Sequence, residues 1–592
     1  MCGIFAYFGN HISISQIEKE FQKTKMRGPD FSHLQWVREG WLLGFHRLKI
    51  VDTSDAGNQP MRREDCYLIC NGEIYNHQEL RTGVLQDLGE VGEVGEVGEV
   101  VDEETIFRSQ SDCEVLPFAY RSWGIERLVS EIDGVFSMII YDEEEDRVII
   151  ARDRFGVRPL FWGWNNHNEL LVASEAKSIV HLVEQVSPFL PGHFWTGSCS
   201  GSSSNFLQGT LQTYYQPLYK TVTNNNNNNV TTTLTDVLAN IRDLFTKAVH
   251  KRLMSDRPVG CLLSGGLDSS LVSSLVAREF ERRGKGTLQT FSVGLPGSPD
   301  LDYADLVAKK IGSQHHRVEL PVEEWLGAIP EVIYAIESYD VTSVRASVGN
   351  WLIGKWIHEN TDIVVVYNGD GSDEQSGYLY LGNAPTVQEF QEDICRLLRE
   401  IYQFDVLRSD RSISSQWGLE SRTPFLDRDF VDYYMGEVPT AWKTYGRLGE
   451  EINRVGVLEN VEKQVEKCVD GSGSGDSQGT VGEKWLLRKA FENEDLLPSE
   501  VLWRKKEAFS DGCSSVKDSW HDIIQKEVET KISDGDFSNL AGNYSPRPIN
   551  KEALYYRQIY ESHFGANRLV DHYWLPKWTQ TRDPSARELG EY

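Results

Sequence analysis

The chain has 592 residues, of which 40% are hydrophobic and 11% aromatic. Because this composition supplies ample material for packed cores, a wholly disordered chain is excluded. The 60 basic and 89 acidic residues give a net charge of −29, which repels phosphate backbones and anionic lipid surfaces, so neither nucleic acid nor a membrane is an expected partner. At about 100–200 residues per domain, two large domains are the simplest prediction.

We expect neither a membrane span nor a targeting signal. The longest apolar stretches, such as 135–141, are far shorter than the ~20 residues that cross a bilayer. The nine cysteines are widely spaced, and none belongs to a Cys-x-x-Cys pair. This usage argues against a disulfide framework and predicts a reducing compartment, the cytoplasm.

The first third of the chain is rich in strand signals. Short runs of β-branched and aromatic residues are separated by polar turn clusters, such as 142–146 and 165–168, a spacing typical of hairpins. We therefore predict antiparallel sheets in this part. The predicted strands are Trp41–Asp52, Cys66–Tyr75, Val135–Tyr141, Arg147–Arg152 and Glu169–Ser174.

Three low-complexity segments divide the chain. A Gly-Glu-Val repeat at 89–100 predicts an extended surface loop, and a Ser-, Asn- and Thr-rich stretch at 197–236 predicts a linker between domains. A Gly/Ser-rich stretch predicts a flexible insertion at 468–482. The resulting predicted domains are 2–196 and 237–545, followed by a C-terminal tail over 546–592.

Strands and helices alternate after residue 236. Val259–Leu263 and Asp362–Tyr367 are short apolar runs, followed by glycine-rich loops at 264–268 and 369–374 respectively. This alternation predicts a parallel sheet with crossover helices, a Rossmann-like α/β domain. Ligands bind beyond the carboxyl ends of such strands, where both loops would lie.

Cys2 directly follows the initiator methionine. Removal of Met1 would leave a thiol and a free α-amine on one residue. That amine, with a pKa of about 7.7–8.0, could act as a base for the thiol. The alternative is a small buried residue at the start of a first strand, which position alone favours.

Four motifs in the first third decide between these alternatives. They are Arg27-Gly28-Pro29-Asp30, Arg47-Leu48-Lys49-Ile50-Val51-Asp52, Asn71-Gly72-Glu73-Ile74-Tyr75-Asn76 and Ser111-Asp112-Cys113-Glu114. Behind Met-Cys-Gly-Ile-Phe at the N-terminus, this ordered set resembles the class II glutamine amidotransferases over residues 2–195. The resemblance implies an N-terminal-nucleophile fold, an αββα sandwich of antiparallel sheets.

The resemblance also implies how glutamine is hydrolysed. Cys2 would be the nucleophile, and the Asn71 amide with the Gly72 N–H would form the oxyanion hole. Arg47 would bind the α-carboxylate of glutamine, and Asp112 its α-ammonium. The implied glutamine-binding set is Arg47, Leu48, Ile50, Val51, Asn71, Gly72, Glu73 and Asp112.

Ser264-Gly265-Gly266-Leu267-Asp268-Ser269-Ser270 follows a predicted strand and opens a predicted helix. Small residues at a helix N-terminus can hold a phosphate with their backbone N–H groups. The loop lacks the lysine of a Walker A motif and resembles the pyrophosphate loop of ATP pyrophosphatases. The alternative is a solvated Ser/Gly turn that caps a helix.

Further motifs extend the resemblance over the second part of the chain. They are 291–300, 340–347, 417–427 and Trp503-Arg504-Lys505-Lys506-Glu507. Together with the amidotransferase motifs, they make the chain resemble the glutamine-hydrolysing asparagine synthetases of the B type. This implies synthesis of asparagine from aspartate and ATP through a β-aspartyl-AMP intermediate, with ammonia released from glutamine. Such enzymes commonly form homodimers.

The site residues of the second part follow from the same resemblance. Asp370 and Lys484 would be catalytic, with Lys484 offsetting the charge that develops on phosphate. Asp268 and Asp373 would bind Mg²⁺, a hard ion that prefers oxygen ligands. The implied ATP-binding set is Leu263, Ser264, Gly265, Gly266, Asp268, Ser269, Val293, Asn368 and Gly369, and the implied aspartate-binding set is Thr342, Ser343 and Arg345.

One departure bears on the synthetase step. The family usually reads Ser-Gly-Glu where this chain reads Asn368-Gly369-Asp370, so the carboxylate is one methylene shorter. A misplacement of ~1 Å can lower a rate ~10²-fold. Three alternatives stay open here: an amide-forming enzyme that uses another carboxylate, a glutaminase with an inactive synthetase domain, and an inert regulator that binds nucleotide or amino acid.

Overall fold

The computed structural model describes residues 1–91, 106–199, 207–216, 233–444, 483–505, 512–515, 518–566, 569–579 and 583. The predicted insertion at 468–482 lies outside these residues, as do most of the Gly-Glu-Val repeat and much of the predicted linker. Within the described ranges, no helix is both long enough and apolar enough to cross a membrane.

The strands and helices follow in chain order. The strands are β1 Gly3–Phe8, β2 Phe31–Arg38, β3 Trp41–Arg47, β4 Met61–Arg63, β5 Cys66–Ile74, β6 Gly134–Asp142, β7 Arg147–Arg152, β8 Phe161–Trp164, β9 Leu170–Ala173, β10 Ser187–Pro188, β11 His193–Cys199, β12 Leu207–Thr213, β13 Val259–Leu262, β14 Gln289–Gly294, β15 Gln314–Glu319, β16 Val365–Tyr367 and β17 Glu420–Arg422. The α-helices are α1 Ile14–Phe21, α2 His77–Val91, α3 Val115–Glu131, α4 Leu234–Lys251, α5 Leu267–Arg283, α6 Pro299–Ile311, α7 Val322–Ile336, α8 Val341–Asn360, α9 Ser372–Ser376, α10 Val387–Phe404, α11 Val406–Trp417, α12 Arg428–Gly436, α13 Thr440–Lys443, α14 Trp485–Phe491, α15 Ser499–Leu502, α16 Trp520–Lys531, α17 Asp534–Leu540 and α18 Lys551–Phe564. Short 3₁₀ helices lie at Gln22–Arg27, Asp55–Gly57, Asp112–Glu114, Ala176–Ser178, Leu379–Asn383, Pro424–Leu426 and Ala541–Asn543.

Two six-stranded antiparallel sheets form the first part of the chain. One has the strand order β10-β8-β9-β1-β3-β2 and the other β12-β11-β7-β6-β5-β4. Buried side chains from both sheets, among them Phe45 and Ile139, share one core, so the sheets pack face to face. Helix α1 packs on the outer face of the first sheet, and α2 and α3 pack on the outer face of the second. This αββα sandwich confirms the predicted fold class.

Strand β1 lies inside the first sheet and fixes the start of the chain. It pairs antiparallel with β3 and with β9, and all six of its residues are buried. Because side chains alternate along a strand, Ile4, Ala6 and Phe8 enter the core between the sheets, whereas Phe5 and Tyr7 pack toward α1. The residue before β1 is therefore held by a strand that is buried on both faces.

The second part of the chain is built on a five-stranded parallel sheet. Its strand order is β15-β14-β13-β16-β17, so β13 and β16 are neighbours. The loops that follow these two strands leave from the same edge of the sheet. They lie so close together that a Cβ on Gly369 would be 2.8 Å from the Cβ of Asp268. This arrangement confirms the predicted parallel-sheet domain.

The predicted linker at 197–236 and the predicted C-terminal tail at 546–592 both contain regular elements. Strand β12 lies inside the predicted linker and pairs antiparallel with β11, although its sequence is mostly polar and exposed. Helix α18 lies inside the predicted tail, and its Leu554, Tyr556 and Tyr560 are buried. Strand β12 buries almost nothing, and α18 buries charged residues together with aromatic ones. Because neither element has a clear apolar period, the sequence pattern did not predict them.

Buried charged side chains join the two parts of the chain. Arg27 donates from Nη1 to Glu175 at 2.7 Å and from Nη2 to Asp410 at 3.2 Å, and all three side chains are buried. Arg158 also donates to Asp410, at 3.3 Å. Removing one partner would leave a buried charge uncompensated, so these pairs tie the antiparallel sheets to helix α11.

The packing of α18 gives a test of the fold. We expect Leu554→Ala to lower the free energy of unfolding by about 2–5 kcal/mol, because Leu554 is fully buried and its truncation leaves a cavity. Thermal denaturation should show a fall in Tm of several degrees. The control Ser562→Ala alters an exposed position of the same helix and should leave Tm unchanged. Equal Tm values for the two variants would contradict the packing described above.

Candidate active sites

Cys2 lies directly before β1. Its Sγ is 3.8 Å from the carbonyl oxygen of Leu48, and Arg27 Nε donates to the Cys2 carbonyl at 3.0 Å. Burial raises the pKa of the Cys2 thiol to about 11 and lowers the pKa of the Met1 α-amine to about 6. At neutral pH the Met1 amine is therefore mostly neutral, whereas the Cys2 thiol stays protonated. A protonated thiol needs a neighbouring base to act as a nucleophile, a role that the α-amine of Cys2 itself could take once Met1 is removed.

Asn71 and Gly72 lie side by side in β5. The Asn71 side chain is buried, and neither its nitrogen nor its oxygen has a hydrogen-bond partner among the described residues. A buried amide in this state costs free energy unless a ligand satisfies it. A Cβ on Gly72 would lie 2.3 Å from the carbonyl oxygen of Val135, so the backbone requires glycine here. The Asn71 amide is therefore a group that could donate to an oxyanion.

Arg47 organises the loop that follows β3. Its Nη1 donates to the Ser54 carbonyl at 2.6 Å and to Asn58 Oδ1 at 2.9 Å, and its Nη2 donates to the Asp52 carbonyl. These acceptors hold the guanidinium rigidly. The same loop supplies the Leu48 carbonyl near Cys2 and carries the other predicted residues Ile50, which is buried, and Val51, which is partly buried.

Two buried carboxyl groups lie close to this region. Asp112 Oδ2 accepts a hydrogen bond from the Ile74 N–H at 2.7 Å, and burial raises its pKa to about 6. Glu73 lies 3.4 Å from Arg422, and burial together with the nearby Glu420 carboxylate raises its pKa well above the ordinary range. Because both groups resist ionisation when alone, each would gain from a cationic ligand such as an α-ammonium group.

The loop after β13 has the features of an anion site. The Ser264 N–H donates to Ser269 Oγ at 3.2 Å, and the two hydroxyl oxygens are 2.9 Å apart. Gly265 has φ 74°, and a Cβ there would lie 2.6 Å from the Ala304 nitrogen, so the turn requires glycine. Gly266 caps α5 without a side chain, which leaves the first N–H groups of the helix open to a ligand. The predicted Leu263 and Val293 are buried at the ends of β13 and β14.

Lys484 joins the two carboxylates predicted to bind a metal. Its Nζ lies 2.6 Å from Asp268 Oδ2 and 2.7 Å from Asp373 Oδ1. Ser372 donates to the other oxygen of Asp268 at 2.8 Å. Two carboxylates that converge on one cation also suit Mg²⁺, which is commonly held by one or two carboxylates together with substrate phosphates. In the described ranges, no group of three or more metal-ligating side chains occurs.

The loop after β16 begins with Asn368. Its N–H donates to the Arg422 carbonyl at 3.0 Å, and its Nδ2 donates to Ser421 Oγ at 2.7 Å. Its Oδ1 accepts from the Asp370 N–H at 3.1 Å. The Asn368 side chain therefore links strand β17 to the loop, because its amide nitrogen donates to the strand and its amide oxygen accepts from the loop.

Sequence reasoning missed an acidic cluster beside Asp370. The Tyr378 hydroxyl lies 2.6 Å from Glu374 and 3.1 Å from Asp405, and Arg408 lies 2.8 Å from the same Asp405 carboxylate. Burial raises the pKa of Asp370 to about 6 and the pKa of Glu374 well above its ordinary range. The sequence gives one weak sign of this cluster. Asp405 interrupts the mostly apolar stretch 401–407, and Arg408 follows that stretch directly.

The predicted aspartate-binding residues lie in the first turns of α8, and their side chains have different surroundings. Ser343 Oγ donates to the Phe404 carbonyl at 3.0 Å, beside the acidic cluster. Thr342 Oγ1 is buried and has no hydrogen-bond partner among the described residues. Arg345 instead forms ion pairs with Glu552 and Asp583 of the C-terminal segment, at 2.6 and 2.9 Å. The structure thus commits the charge of Arg345 to two carboxylates of the protein itself.

Comparison with known proteins identifies the family. The model of a glutamine amidotransferase domain matches residues 1–189, and the model of asparagine synthase matches residues 240–386 and 379–581. The glutamine-hydrolyzing asparagine synthetases of Pongo abelii and Homo sapiens are each 38% identical to the chain, and that of Cricetulus griseus is 39% identical. Each alignment covers 100% of this chain and 99% of the relative. The chain belongs to the glutamine-hydrolysing asparagine synthetase family.

Membership in the asparagine synthetase family confirms the resemblance inferred from the motifs. The two family models divide the chain between them in the order that the sequence predicted. The asparagine synthase match extends to residue 581, beyond the predicted domain end at 545, and so includes helix α18.

The unpartnered amide of Asn71 gives a first prediction for this synthetase. We expect Asn71→Ala to lower kcat for glutamine hydrolysis by about 10²–10³-fold, with little change in KM, because one oxyanion donor is lost. Glutamate release measures the effect. The control Asn10→Ala alters an exposed asparagine and should retain full activity. An unchanged kcat in Asn71→Ala would rule out its role as a donor.

The raised pKa of Asp112 predicts that the use of glutamine depends on pH. Its pKa is raised from 3.8 to about 6 in the folded protein, so the carboxyl is largely protonated below that pH and ionised above it. Because only the carboxylate attracts an α-ammonium, kcat/KM for glutamine should rise about tenfold per pH unit up to about 6 and then level off. The same raised pKa means that this group destabilises the fold as pH rises from about 4 through 6.

The pH profile of Asp112→Asn is the matching control. We expect that variant to have a lower kcat/KM for glutamine and to lack the limb near pH 6, while its ammonia-dependent activity keeps the profile of the unaltered protein. A limb that persists in Asp112→Asn would assign the titration to another group.

Proposed function

We propose that this chain synthesises L-asparagine from L-aspartate and ATP, with ammonia that it releases from L-glutamine. The observation that carries the proposal is the convergence of Lys484, Asp268 and Asp373 at the edge of the parallel sheet where ATP would bind. The first part of the chain alone would support only a glutaminase. A charge cluster beside the pyrophosphate loop supports the second reaction and argues against an inert regulator.

Glutamine hydrolysis uses the groups around Cys2. With Met1 removed, the α-amine of Cys2 takes the thiol proton, and the sulfur attacks the side-chain carboxamide. The Asn71 amide and the Gly72 N–H stabilise the oxyanion, and the amine returns the proton to the departing ammonia. Water then hydrolyses the thioester to give glutamate. Arg47 and Asp112 hold the two ends of the amino acid so that the carboxamide faces the sulfur.

The synthetase step activates a carboxylate that would not otherwise react with an amine. The aspartate β-carboxylate attacks the α-phosphate of ATP, pyrophosphate leaves and β-aspartyl-AMP forms. The loop 264–269 binds the pyrophosphate through N–H groups and hydroxyls, and Lys484 offsets the charge that develops between the phosphates. Mg²⁺, held by Asp268 and Asp373 when bound, would neutralise phosphate charge. Ammonia then displaces AMP.

Asp370 occupies the position of the usual family glutamate. The Ser409 hydroxyl hydrogen-bonds to its carboxyl group, and Arg408 lies close enough to favour its charged form. Its Oδ2 has no hydrogen-bond partner among the described residues, which leaves an acceptor for a proton from the attacking ammonia. The shorter side chain is thus supported by two residues of α11, which favours retention of the synthetase step.

Ammonia would pass between the two parts of the chain. The residues that separate them include Arg27, Arg158, Asp410 and Arg422, all buried and paired with one another or with buried glutamates. A path shielded from bulk water keeps ammonia unprotonated, which the displacement of AMP requires. We infer this route from the family.

The cysteines and the net charge bear on the compartment and the partners of the enzyme. Seven cysteines whose side chains the structure describes are free thiols, which supports a reducing compartment such as the cytoplasm. Glutamine, aspartate and ATP are the proposed partners, and a homodimer is proposed from the family alone. The net charge of −29 argues against nucleic acid or a membrane surface as a partner, because both are anionic.

Isotope transfer tests the function. The purified protein is incubated with amide-¹⁵N glutamine, aspartate, ATP and Mg²⁺, and the products are identified by mass spectrometry. We expect ¹⁵N-asparagine together with AMP. Glutamate without asparagine would overturn the proposal in favour of the glutaminase alternative. A labelled amide of another acid, formed when that acid replaces aspartate, would indicate a different acceptor.

Cys2→Ala separates the two reactions. We expect this variant to lose glutamine-dependent synthesis and to retain ammonia-dependent synthesis, because the thiol takes part only in the release of ammonia. The control Cys395→Ala removes another partly exposed free thiol and should retain both activities. Loss of ammonia-dependent synthesis in Cys2→Ala would show that the two sites do not divide the reaction in this way.

A further inference from the structure

Asp112 lies at the end of a loop that has no regular structure of its own. Residues 107–111 form no helix or strand, and they lead directly into the 3₁₀ helix Asp112–Glu114. Such a loop keeps one conformation only if other groups satisfy its backbone N–H and C=O groups. The side chains that do so therefore decide where the Asp112 carboxyl group lies.

Glu114 binds the N–H groups of this loop. Its Oε1 accepts from the Arg108 N–H at 3.0 Å, and its Oε2 accepts from the Ser109 N–H and the Ser109 hydroxyl, both at 2.7 Å. Arg63 Nε donates to the same carboxylate at 2.6 Å. Because Glu114 is fully buried, its charge depends on these donors, and the donors are held in turn.

Arg81 of α2 binds the carbonyl groups of the same loop. Its Nη2 donates to the carbonyls of Ser109 and Ser111, each at 3.0 Å, and its guanidinium carbon lies 4.5 Å from the centre of the Phe107 ring. The arginine is buried, and the same Nη2 is 3.9 Å from Glu114. One guanidinium nitrogen carries two N–H groups, so it can hold both carbonyls at once.

The loop is also joined to the segment that carries Arg47. The Gln110 N–H donates to Asp52 Oδ2 at 2.8 Å, and the Asp52 carbonyl accepts from Arg47. Asp52 thus contacts both the loop that leads to Asp112 and the arginine that would bind the α-carboxylate of glutamine. The two groups that would hold the ends of the amino acid are therefore linked through the loop.

The Asp112 carboxyl group itself lies against the end of β5. Its Oδ2 accepts from the Ile74 N–H at 2.7 Å, and Ile74 follows closely on Asn71 and Gly72, the proposed oxyanion donors. A shift of the loop would move this carboxyl group relative to the α-ammonium of glutamine while the donors in β5 stay in place. A misplacement of ~1 Å can cost an enzyme ~10²-fold.

We propose that Arg81 is a positioning residue for glutamine binding: it holds the loop 107–111 and, through that loop, sets the position of the carboxylate that binds the α-ammonium group. The inference rests on the proposed function, because Asp112 binds glutamine only in that function. The alternative is that Arg81 merely packs α2 against the sandwich, in which case its loss would lower stability without a selective effect on glutamine binding.

Steady-state kinetics of glutamine hydrolysis test this assignment. We expect Arg81→Gln to raise KM for glutamine about ten- to hundredfold and to keep kcat within about threefold, because Asn71 and Gly72 do not lie in the loop. Ammonia-dependent synthesis should stay within about twofold of the unaltered protein. Arg81→Lys keeps the charge but loses the planar fork, so a smaller rise in KM is expected.

The matched control is Arg121→Gln in the neighbouring helix α3. Arg121 donates from Nε to the Glu64 carbonyl at 3.0 Å and pairs with Asp142 at 3.0 Å, so it also ties a helix to a loop carbonyl and a buried carboxylate. We expect this variant to have a lower Tm and an unchanged KM for glutamine. An equal rise in KM in Arg121→Gln would overturn the proposal, because KM would then follow stability alone.

A double-mutant cycle with Asp112 shows whether Arg81 acts through that residue. We expect kcat/KM for glutamine in Arg81→Gln/Asp112→Asn to lie within about threefold of Asp112→Asn alone, since the carboxylate that Arg81 positions is already absent. Effects that multiply in the double variant would overturn the proposal, as would an unchanged KM in folded Arg81→Gln. If Arg81→Gln does not fold, judged by Tm and ammonia-dependent synthesis, Arg81→Lys decides by the same cycle.

The unaltered protein separates this inference from the proposed function. If it releases no glutamate from glutamine, the proposed function fails and the assignment of Arg81 fails with it. If it hydrolyses glutamine and the Arg81 variants keep their KM for glutamine, only the assignment of Arg81 fails.

Discussion

The structure depends on one buried guanidinium. Arg27 donates to the carbonyl of Cys2, to Glu175 and to Asp410, and it is fully shielded from water. A buried cation is tolerated only where acceptors surround it, and removal of one buried partner typically costs about 3–5 kcal/mol. The three acceptors come from Cys2, from Glu175 in the same antiparallel part and from Asp410 in the parallel-sheet part. The position of Cys2 relative to the second domain is therefore set by the hydrogen-bonding geometry of a single side chain.

Other buried charges between the two parts of the chain are also surrounded by hydrogen-bond partners. Glu337 accepts hydrogen bonds from the N–H groups of Ala176 and Lys177, at 3.0 and 2.7 Å, and is also paired with Arg411. Apolar surfaces can slide over one another, whereas bonds to charged groups are directional and must be remade if the domains shift. The two parts therefore meet in one orientation.

The sequence allowed the fold to be predicted, together with candidate residues for both sites, because their signals are local. Strand patterns and turn clusters predict the antiparallel sheets. The Ser-Gly-Gly loop between a strand and a helix predicts a phosphate-binding loop in the second domain. Contacts between distant residues left no such signal. Arg345 lies in a motif that suggested a ligand, yet its partners are Glu552 and Asp583, more than two hundred positions away. The acidic cluster around Asp405 was missed for the converse reason, since a charged residue next to an apolar run looks like ordinary surface until the fold encloses it.

Helix α11 reaches the surroundings of both Asp370 and Cys2 with consecutive residues. Ser409 hydrogen-bonds to Asp370, and Asp410, the next residue, pairs with Arg27 beside Cys2. Neighbouring positions on an α-helix differ by about 100° in direction and 1.5 Å in height, so two consecutive side chains can face different parts of the chain. One helix is thus in contact with the neighbours of both residues. A substitution that rotates or shifts α11 would therefore move the surroundings of Asp370 and those of Arg27 and Cys2 at once, so its effects would not stay within one domain.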